Sequence, residues 1–237
     1  MSRPTLVLLC GLLCDARIWE PVRAALPPGH DTRILAFPGF RTIEAMAADV
    51  VARVPGPMVV IGHSMGGRVA LEVLRLAGDR VVGLGLANTG IHPPAPGEAA
   101  GRQTLIDCAR CEGMEALADA WLPPMMGASE DRVAALMPDL RAMVAANTRE
   151  SYEGQIAALL GRPDAETPLR AYRKPLLLLA ADRDRWSPPA QHEAMRDLAP
   201  QGELHVLAEA GHMLPVERPD VVAQVISDWF GRHWPAA

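Results

Sequence analysis

The chain has 237 residues, of which 49% are hydrophobic and 22% are charged, so it is long enough to bury one sizeable core. The formal net charge of -5 and the absence of basic runs argue against binding to nucleic acid or to an anionic membrane surface. No apolar stretch approaches the ~20 residues of a transmembrane helix, and the run Thr5–Leu9 is too short for a signal peptide, so we expect a soluble, cytoplasmic protein.

Short apolar runs alternate with helical patterns along most of the chain, which is typical of βαβ units and a mostly parallel sheet. The predicted strands are Thr5–Cys10, Thr32–Ala36, Met58–Ile61, Val81–Ala87, Leu176–Ala180 and Glu203–Leu207. Most of these runs are continuously apolar, as expected for strands that helices cover on both faces. Apolar residues at helical spacing fill 43–54, 69–77 and 221–230. The sequence therefore predicts an α/β fold.

The alternation is interrupted between residues 90 and 168, where no strong strand pattern occurs. This segment opens with the proline-rich stretch 92–97 and continues with helical patches rich in Ala, Leu and Met. Ligands bind at the carboxyl edge of open parallel sheets, so we expect an insertion between two strands to cover that edge. We predict a core made of residues 1–89 and 169–237 and a helical cap made of residues 90–168.

A glycine-rich turn at residues 62–67 reads Gly-His-Ser-Met-Gly-Gly and lies between a predicted strand and a predicted helix. It matches G-x-S-x-G, in which glycines relieve the crowding of a sharp turn and leave the central hydroxyl exposed at its tip. The positive end of the following helix points at the same spot. The pattern makes Ser64 a candidate nucleophile, whereas the adjacent His63 is interpreted as a packing residue.

A serine hydroxyl needs a base, and in this arrangement the order along the chain is serine, acid, histidine. His212 follows the last predicted strand, so its loop leaves the edge of the sheet that carries Ser64. The other later histidines precede the acid or lie in a helix, a strand or the tail: His92, His192, His205 and His233. His212 is therefore the candidate base, and a base that must be neutral predicts a rate that falls below about pH 6–7.

Two aspartates follow the strand at 176–180, and either could be the acid. Asp182 comes sooner and could turn the loop or pair with an arginine, whereas Asp184 lies further round, where a carboxylate could face His212. We favour Asp184, whose role would be to fix the imidazole tautomer. The loop after the first strand contains Leu12, whose backbone N–H is expected to form an oxyanion hole with the N–H of Met65.

The turn at 62–67, the Asp-Arg-Asp loop at 182–184 and the pair Gly211-His212 together resemble the α/β-hydrolase superfamily along the whole chain. The segments 11–19 and 155–164 resemble small carboxylesterases, 3-oxoadipate enol-lactonases and pimeloyl-carrier-protein methyl esterases. The resemblance implies an aspartate at the Asp184 position and an oxyanion N–H from Leu12. The chain departs from the family pattern at Cys10, where histidine is usual, and at Ala181, where glycine is usual.

The resemblance implies cleavage of a small to medium carboxylic ester by a Ser-His-Asp triad without metal or organic cofactor. Alternatives on the same site are lactone, thioester or C–C bond cleavage, and a different class is a non-enzymatic ligand sensor. Epoxide hydrolysis and dehalogenation are disfavoured, since relatives of those kinds use an aspartate where Ser64 stands. The pair Cys108 and Cys111 has no second pair to complete a zinc site, which favours free thiols.

Residues of the insertion are expected to set the preference for substrate. Trp121, Met125 and Met126 could line an acyl pocket or simply hold the cap together. Arg149 or Arg162 could meet a substrate carboxylate, although such arginines are more often solvated or paired with an acidic side chain. The oligomeric state does not follow from the sequence.

Overall fold

The computed structural model describes residues 3–29 and 31–235. Within those residues, six parallel strands form one sheet in the order β2-β1-β3-β4-β5-β6. The strands are β1 (Thr5–Leu9), β2 (Thr32–Leu35), β3 (Met58–His63), β4 (Val81–Ala87), β5 (Leu176–Ala181) and β6 (Gly202–Leu207). Each predicted strand is present with its ends shifted by at most two residues, which confirms the predicted α/β sheet.

Helices surround the sheet and follow the predicted amphipathic stretches. They are α1 (Glu20–Ala25), α2 (Ile43–Arg53), α3 (Met65–Ala77), α4 (Glu98–Cys111), α5 (Met114–Trp121), α6 (Glu130–Ala145), α7 (Arg149–Leu160), α8 (Glu166–Ala171), α9 (Pro189–Leu198), α10 (Leu214–Glu217) and α11 (Pro219–His233). The start of α2 is fixed by a nearby residue, because the Thr42 side chain accepts a hydrogen bond from the Ala45 N–H and caps the helix.

The core lies between the sheet and the helices that pack on it. Every residue of β3 and of β5 is buried, which is consistent with the apolar runs at 58–61 and 176–181. Helices α2 and α3 pack against each other, as do α1 and α11. Trp19 and Trp229 are fully buried, and the indole N–H of Trp19 donates to the Leu9 carbonyl at 3.0 Å. This bond secures the end of β1, where the first loop begins.

The strand order determines which loops lie together. The chain passes from β1 to β2 on one side and then returns to β3 on the other, so the carboxyl ends of β1 and β3 are neighbours. Leu9 pairs with Gly62 in register, and His63 pairs with Ala87. The loops that follow β1, β3 and β4 therefore start side by side, at the position where open α/β sheets bind ligands.

The insertion, residues 90–168, contains α4 to α7 and a short 3-10 helix at Pro123–Met125, with no strand among its residues, all of which the structure describes. Helix α4 packs on α5 and α7, and α5 packs on α6. Helix α8 crosses the boundary predicted at residue 168 and packs against α3 and α9. Across the described parts of the chain, no helix combines the length and apolarity needed to cross a bilayer.

Candidate active site

The turn between β3 and α3 holds Ser64 in an unusual backbone conformation, with φ 54° and ψ -116°. A Cβ atom on Gly62 would collide with the Gly66 backbone, and one on Gly66 would collide with the Leu9 carbonyl. Glycine is thus required at both positions because there is no room for a Cβ atom. A non-glycine residue at positive φ costs of order 1–3 kcal/mol, which the surrounding packing must offset. The strain leaves the Ser64 side chain at the tip of the turn.

Three side chains from distant parts of the sequence meet beside this turn. The Oγ of Ser64 lies 2.8 Å from Nε2 of His212, and Nδ1 of His212 lies 2.8 Å from Oδ2 of Asp184. Because a carboxylate only accepts hydrogen bonds, Nδ1 carries the proton and Nε2 of the neutral ring is free to accept from the Ser64 hydroxyl. This is the relative geometry that a Ser-His-Asp triad requires.

The structure brings Asp184, and not Asp182, to the histidine. Asp184 is buried, and its Oδ1 accepts hydrogen bonds from the backbone N–H groups of Trp186 at 2.8 Å and Ser187 at 3.0 Å. Burial opposes its ionisation, but the hydrogen bond from His212 and the N–H donors outweigh that effect and hold the pKa of Asp184 well below its usual range. Asp182 is exposed and accepts from the Ala210 N–H at 3.3 Å, so it helps to shape the loop.

Asn88 is a contributor that the sequence analysis missed. Its Nδ2 donates to Oδ2 of Asp184 at 2.7 Å and lies 3.3 Å from the Gly211 carbonyl. Asn88 is the first residue after β4 and has φ 45°, a conformation that asparagine tolerates better than most residues. Its position directly after a strand was the available signal, although nothing in the sequence indicates which acid it would contact.

His63 is buried beside the base and contacts its backbone. Its Nε2 lies 2.7 Å from the His212 carbonyl oxygen, so Nε2 carries the proton and donates. Burial, more than the adjacent His212, lowers the pKa of His63 to about 3, so the ring stays neutral at physiological pH. The ring therefore holds the backbone of the base loop without adding a charge next to it.

The first loop and the start of α3 present backbone N–H groups near Ser64. Leu12 and Met65 line the same cavity as Ser64. Among the described residues, the Leu12 N–H donates no hydrogen bond within the protein, and the Met65 N–H, at the first position of α3, has no acceptor within the helix. The sequence analysis missed Gln155 of α7, whose Oε1 accepts from the Leu13 N–H at 2.9 Å and fixes this loop.

A cavity of ≈ 350 Å³ opens beside Ser64 and His212. Trp121 and Met125 lie on its wall, which agrees with the first of the two interpretations that the sequence left open for them. Met126, for which both interpretations were open, does not line this cavity and has its backbone against Gly211, where the chain turns into an extended conformation at the end of the short 3-10 helix. The apolar part of the wall also includes Leu105, Tyr152, Ile156, Leu159 and Trp186.

One end of the cavity is lined by charged side chains with an excess of positive charge. Arg162 forms two bonds of 2.8 Å to the carboxylate of Glu98, and Arg102 bonds to the same carboxylate at 2.8 Å. Arg68 is buried and donates from Nη2 to the His92 carbonyl at 2.9 Å, whereas its Nη1 finds no acceptor among the described residues. Burial, followed by repulsion from Arg162, lowers the pKa of Arg68 to about 9.

Of the two arginines considered from the sequence, only Arg162 lines the cavity, and its carboxylate partner is Glu98. Arg149 is exposed and pairs with Glu150 at 3.2 Å. Arg68 was missed, although its place four residues after Ser64 puts it one turn further along the same face of α3.

Among the described residues, neither a metal-binding cluster nor a disulfide forms part of this site. No group of three or more His, Cys, Asp or Glu side chains within residues 3–29 and 31–235 is arranged to hold a metal ion. Cys108 and Cys111 are free thiols on α4, the first partly buried and the second exposed. Cys10 and Cys14 are buried, and burial raises the pKa of the Cys14 thiol to about 12.

The parallel sheet and the turn that carries Ser64 are features of one protein family, and a comparison with family profiles identifies the same family. The sequence profile described as the alpha/beta hydrolase family matches residues 6–225, and the chain belongs to this family.

Two curated relatives are similar over nearly all of the chain. The biotin biosynthesis bifunctional protein of Cellvibrio japonicus is 26% identical over 97% of this chain, but the chain spans only 48% of that longer protein. The pimeloyl-[acyl-carrier protein] methyl ester esterase of Aromatoleum aromaticum is 28% identical, covering 96% of this chain and 98% of the relative.

A solved structure of similar shape is the thermophilic esterase from Thermogutta terrifontis with malate bound. It superposes with a TM-score of 0.86 and is 28% identical, covering 98% of this chain and 92% of that protein. This chain is thus an α/β hydrolase with esterase-named relatives.

Proposed function

We propose that this protein is a serine hydrolase that cleaves a small to medium carboxylic ester through an acyl-enzyme intermediate. The observation that carries the proposal is the 2.8 Å separation between Ser64 Oγ and His212 Nε2 in side chains that line one open cavity. The esterase-named relatives support the same reaction class. The insertion, which supplies much of the cavity wall, is proposed to act as a cap over the site.

In the first step, Ser64 Oγ attacks the ester carbonyl carbon while His212 Nε2 takes the hydroxyl proton. Asp184 stabilises the resulting imidazolium through its bond to Nδ1 and does not take the proton itself. The depressed pKa of Asp184 suits this role, because the carboxylate stays ionised at physiological pH. The carbonyl carbon becomes tetrahedral, and the carbonyl oxygen becomes the negatively charged oxyanion of this intermediate.

The oxyanion is held by the backbone N–H groups of Leu12 and Met65, which have no competing acceptor in the described protein. The intermediate collapses when the carbon–alkoxy bond breaks and His212 returns its proton to the leaving alcohol. A water molecule then gives a proton to His212 and attacks the acyl carbon; the bond from that carbon to Ser64 Oγ breaks, His212 returns the proton to Oγ, and the acid is released. The same steps apply to a lactone or thioester carbonyl, and a substrate panel would distinguish them.

Reaction with a fluorophosphonate tests the nucleophile directly. We expect one covalent adduct per chain, located on Ser64 by peptide mass spectrometry, because His212, bonded to Asp184, activates the Ser64 hydroxyl. Heat-denatured protein is the control and should not react. A folded protein whose Ser64 stays unlabelled would contradict the enzyme proposal and favour a ligand sensor.

A narrower substrate class is favoured by the charged end of the cavity. Three arginines and one glutamate line the cavity there, Arg68, Arg102 and Arg162 with Glu98, which leaves an excess of two positive charges. A buried guanidinium without a full set of acceptors is costly, so an anionic group entering the cavity would supply the missing partner. We propose that the preferred ester carries a free carboxylate. The malate bound to the Thermogutta terrifontis esterase is an anion of the same class.

The Arg68→Met variant tests this preference. We expect its kcat/KM for methyl hydrogen adipate to fall by about 10- to 100-fold, since a hydrogen bond to a charged group is worth roughly 1.5–3 kcal/mol. Its kcat/KM for methyl hexanoate, which has no carboxylate, should change little. Arg149→Met, outside the cavity, is the matched control and should behave as wild type with both esters. Equal losses for both esters in Arg68→Met would contradict the preference.

A further inference from the structure

A short segment of the insertion, Met125–Ala128, is bonded to the loop that carries His212. The carbonyl of Met125 accepts a hydrogen bond from the His212 N–H at 2.7 Å. The carbonyl of Gly127 accepts from Nη1 of Arg183 at 2.9 Å, and Arg183 is itself tied by its N–H to the Ala210 carbonyl at 3.0 Å. The backbone of the base is therefore held by the same segment whose Met125 side chain lines the cavity.

Glu217, at the end of α10, joins the two pieces of chain. Its Oε2 accepts from the N–H groups of Gly127 at 2.8 Å and Ala128 at 2.5 Å. Both of its oxygens lie 3.1 Å from the N–H of Gly211, the residue before the base. Glu217 is 2% exposed, and its carboxylate is satisfied by backbone amides of both loops. Burial raises the pKa of Glu217, and these N–H bonds oppose the rise.

The two loops approach each other at a pair of glycines. A Cβ atom on Gly127 would collide with the N–H of Gly211, and a Cβ atom on Gly211 would lie 2.5 Å from the Gly127 nitrogen and from the Met125 oxygen. Real Cβ atoms do not come this close, so any larger residue at either position forces the loops apart. The backbones of the two loops therefore touch directly at Gly127 and Gly211, in addition to the hydrogen bonds that Glu217 accepts.

We propose that Glu217 is a positioning residue that couples the insertion to the base, so that the acyl-pocket wall at Met125 and the imidazole of His212 hold a fixed relative position. The inference rests on the proposed function, because it assigns His212 the role of base. The insertion then does more than cover the cavity: it supplies the acceptor that orients the His212 backbone. Neither Glu217 nor Gly127 contacts Ser64, so both act through His212.

The test is Glu217→Gln, which keeps the size of the side chain and one acceptor oxygen. Whichever way the amide is turned, its NH₂ group replaces an oxygen that lies 3.1 Å from the Gly211 N–H, so two donors face each other at the residue before the base. We expect kcat for p-nitrophenyl butyrate to fall by about 10- to 100-fold with little change in KM, because an ~1 Å misplacement of a catalytic group can cost about 100-fold. The downfield proton NMR signal of the His212 Nδ1–H bonded to Asp184 should shift or broaden.

Glu209→Gln is the matched control, since Glu209 is exposed on the same loop and should leave both readouts as in wild type. Gly127→Ala is a second variant and should reproduce the Glu217→Gln effects, whereas Gly231→Ala, with open space around the added Cβ, should not. A Glu217→Gln protein with unchanged kcat and an unmoved signal would overturn the proposal. So would lower activity with an unmoved signal, since that indicates general destabilisation.

The proton signal also separates this proposal from the assignment of the enzyme. If wild type hydrolysed no ester, the proposed function would fail, yet the response of the His212 signal to Glu217→Gln would still decide whether Glu217 orients the imidazole.

Discussion

Replacing Ser64 with alanine is expected to lower kcat for p-nitrophenyl butyrate by at least about 10⁴-fold, to the level left by binding and the oxyanion amides alone. The change removes the only oxygen placed 2.8 Å from His212 Nε2 among the described side chains, so no acyl-enzyme can form. Steady-state kinetics with purified protein, together with circular dichroism to show an intact fold, would measure the effect.

Ser129→Ala is a matched control for the serine substitution. Ser129 caps α6 at the protein surface and does not line the cavity, so its removal should leave turnover unchanged. Near-wild-type turnover in Ser64→Ala, with contamination excluded, would mean that another group is the nucleophile.

Asp184→Asn should have the second largest effect, a fall in kcat of about 10⁴-fold, as is typical when a triad acid becomes an amide. The asparagine NH₂ would donate to His212 Nδ1 and so place the ring proton on Nε2. A protonated Nε2 cannot accept from Ser64, and the base is lost although the side chains stay in place. The kcat of the variant, measured across pH 6 to pH 9, provides the test.

Asp182→Asn is the control that separates the two aspartates of this loop. Because Asp182 is exposed and its side chain, among the described residues, accepts only from the Ala210 N–H, we expect this variant to keep most of the wild-type kcat. A larger loss in Asp182→Asn than in Asp184→Asn would contradict the assignment of the acid.

The parts of the molecule that local sequence determines were predictable. Strands such as β5, with its run of four leucines, are recognisable because burial on both faces requires continuous apolar residues. The turn at Ser64 was recognisable because its glycines are imposed by contacts with near neighbours in sequence or in the adjacent strand. The choice between Asp182 and Asp184 was harder, since it depends on how a loop turns after β5.

The residues that sequence reasoning missed are fixed by distant contacts. Gln155 holds the loop at Leu13, 142 positions away in sequence, and Glu217 contacts the insertion 90 positions away. A single polar residue carries no periodic signal, and only the three-dimensional neighbours reveal its partner. The same limit applies to Met126, since helical spacing cannot tell which of two adjacent methionines faces a cavity after a 3-10 turn.

The strand order has a consequence for how activity is acquired during folding. Ser64 and His212 are separated by 148 positions, and their loops meet only after β5 and β6 have joined the sheet beside β4. Contacts of such large sequence separation are among the slowest to form, because chain entropy must be lost before they contribute. Catalytic competence should therefore return late in refolding, after most helical circular dichroism has recovered.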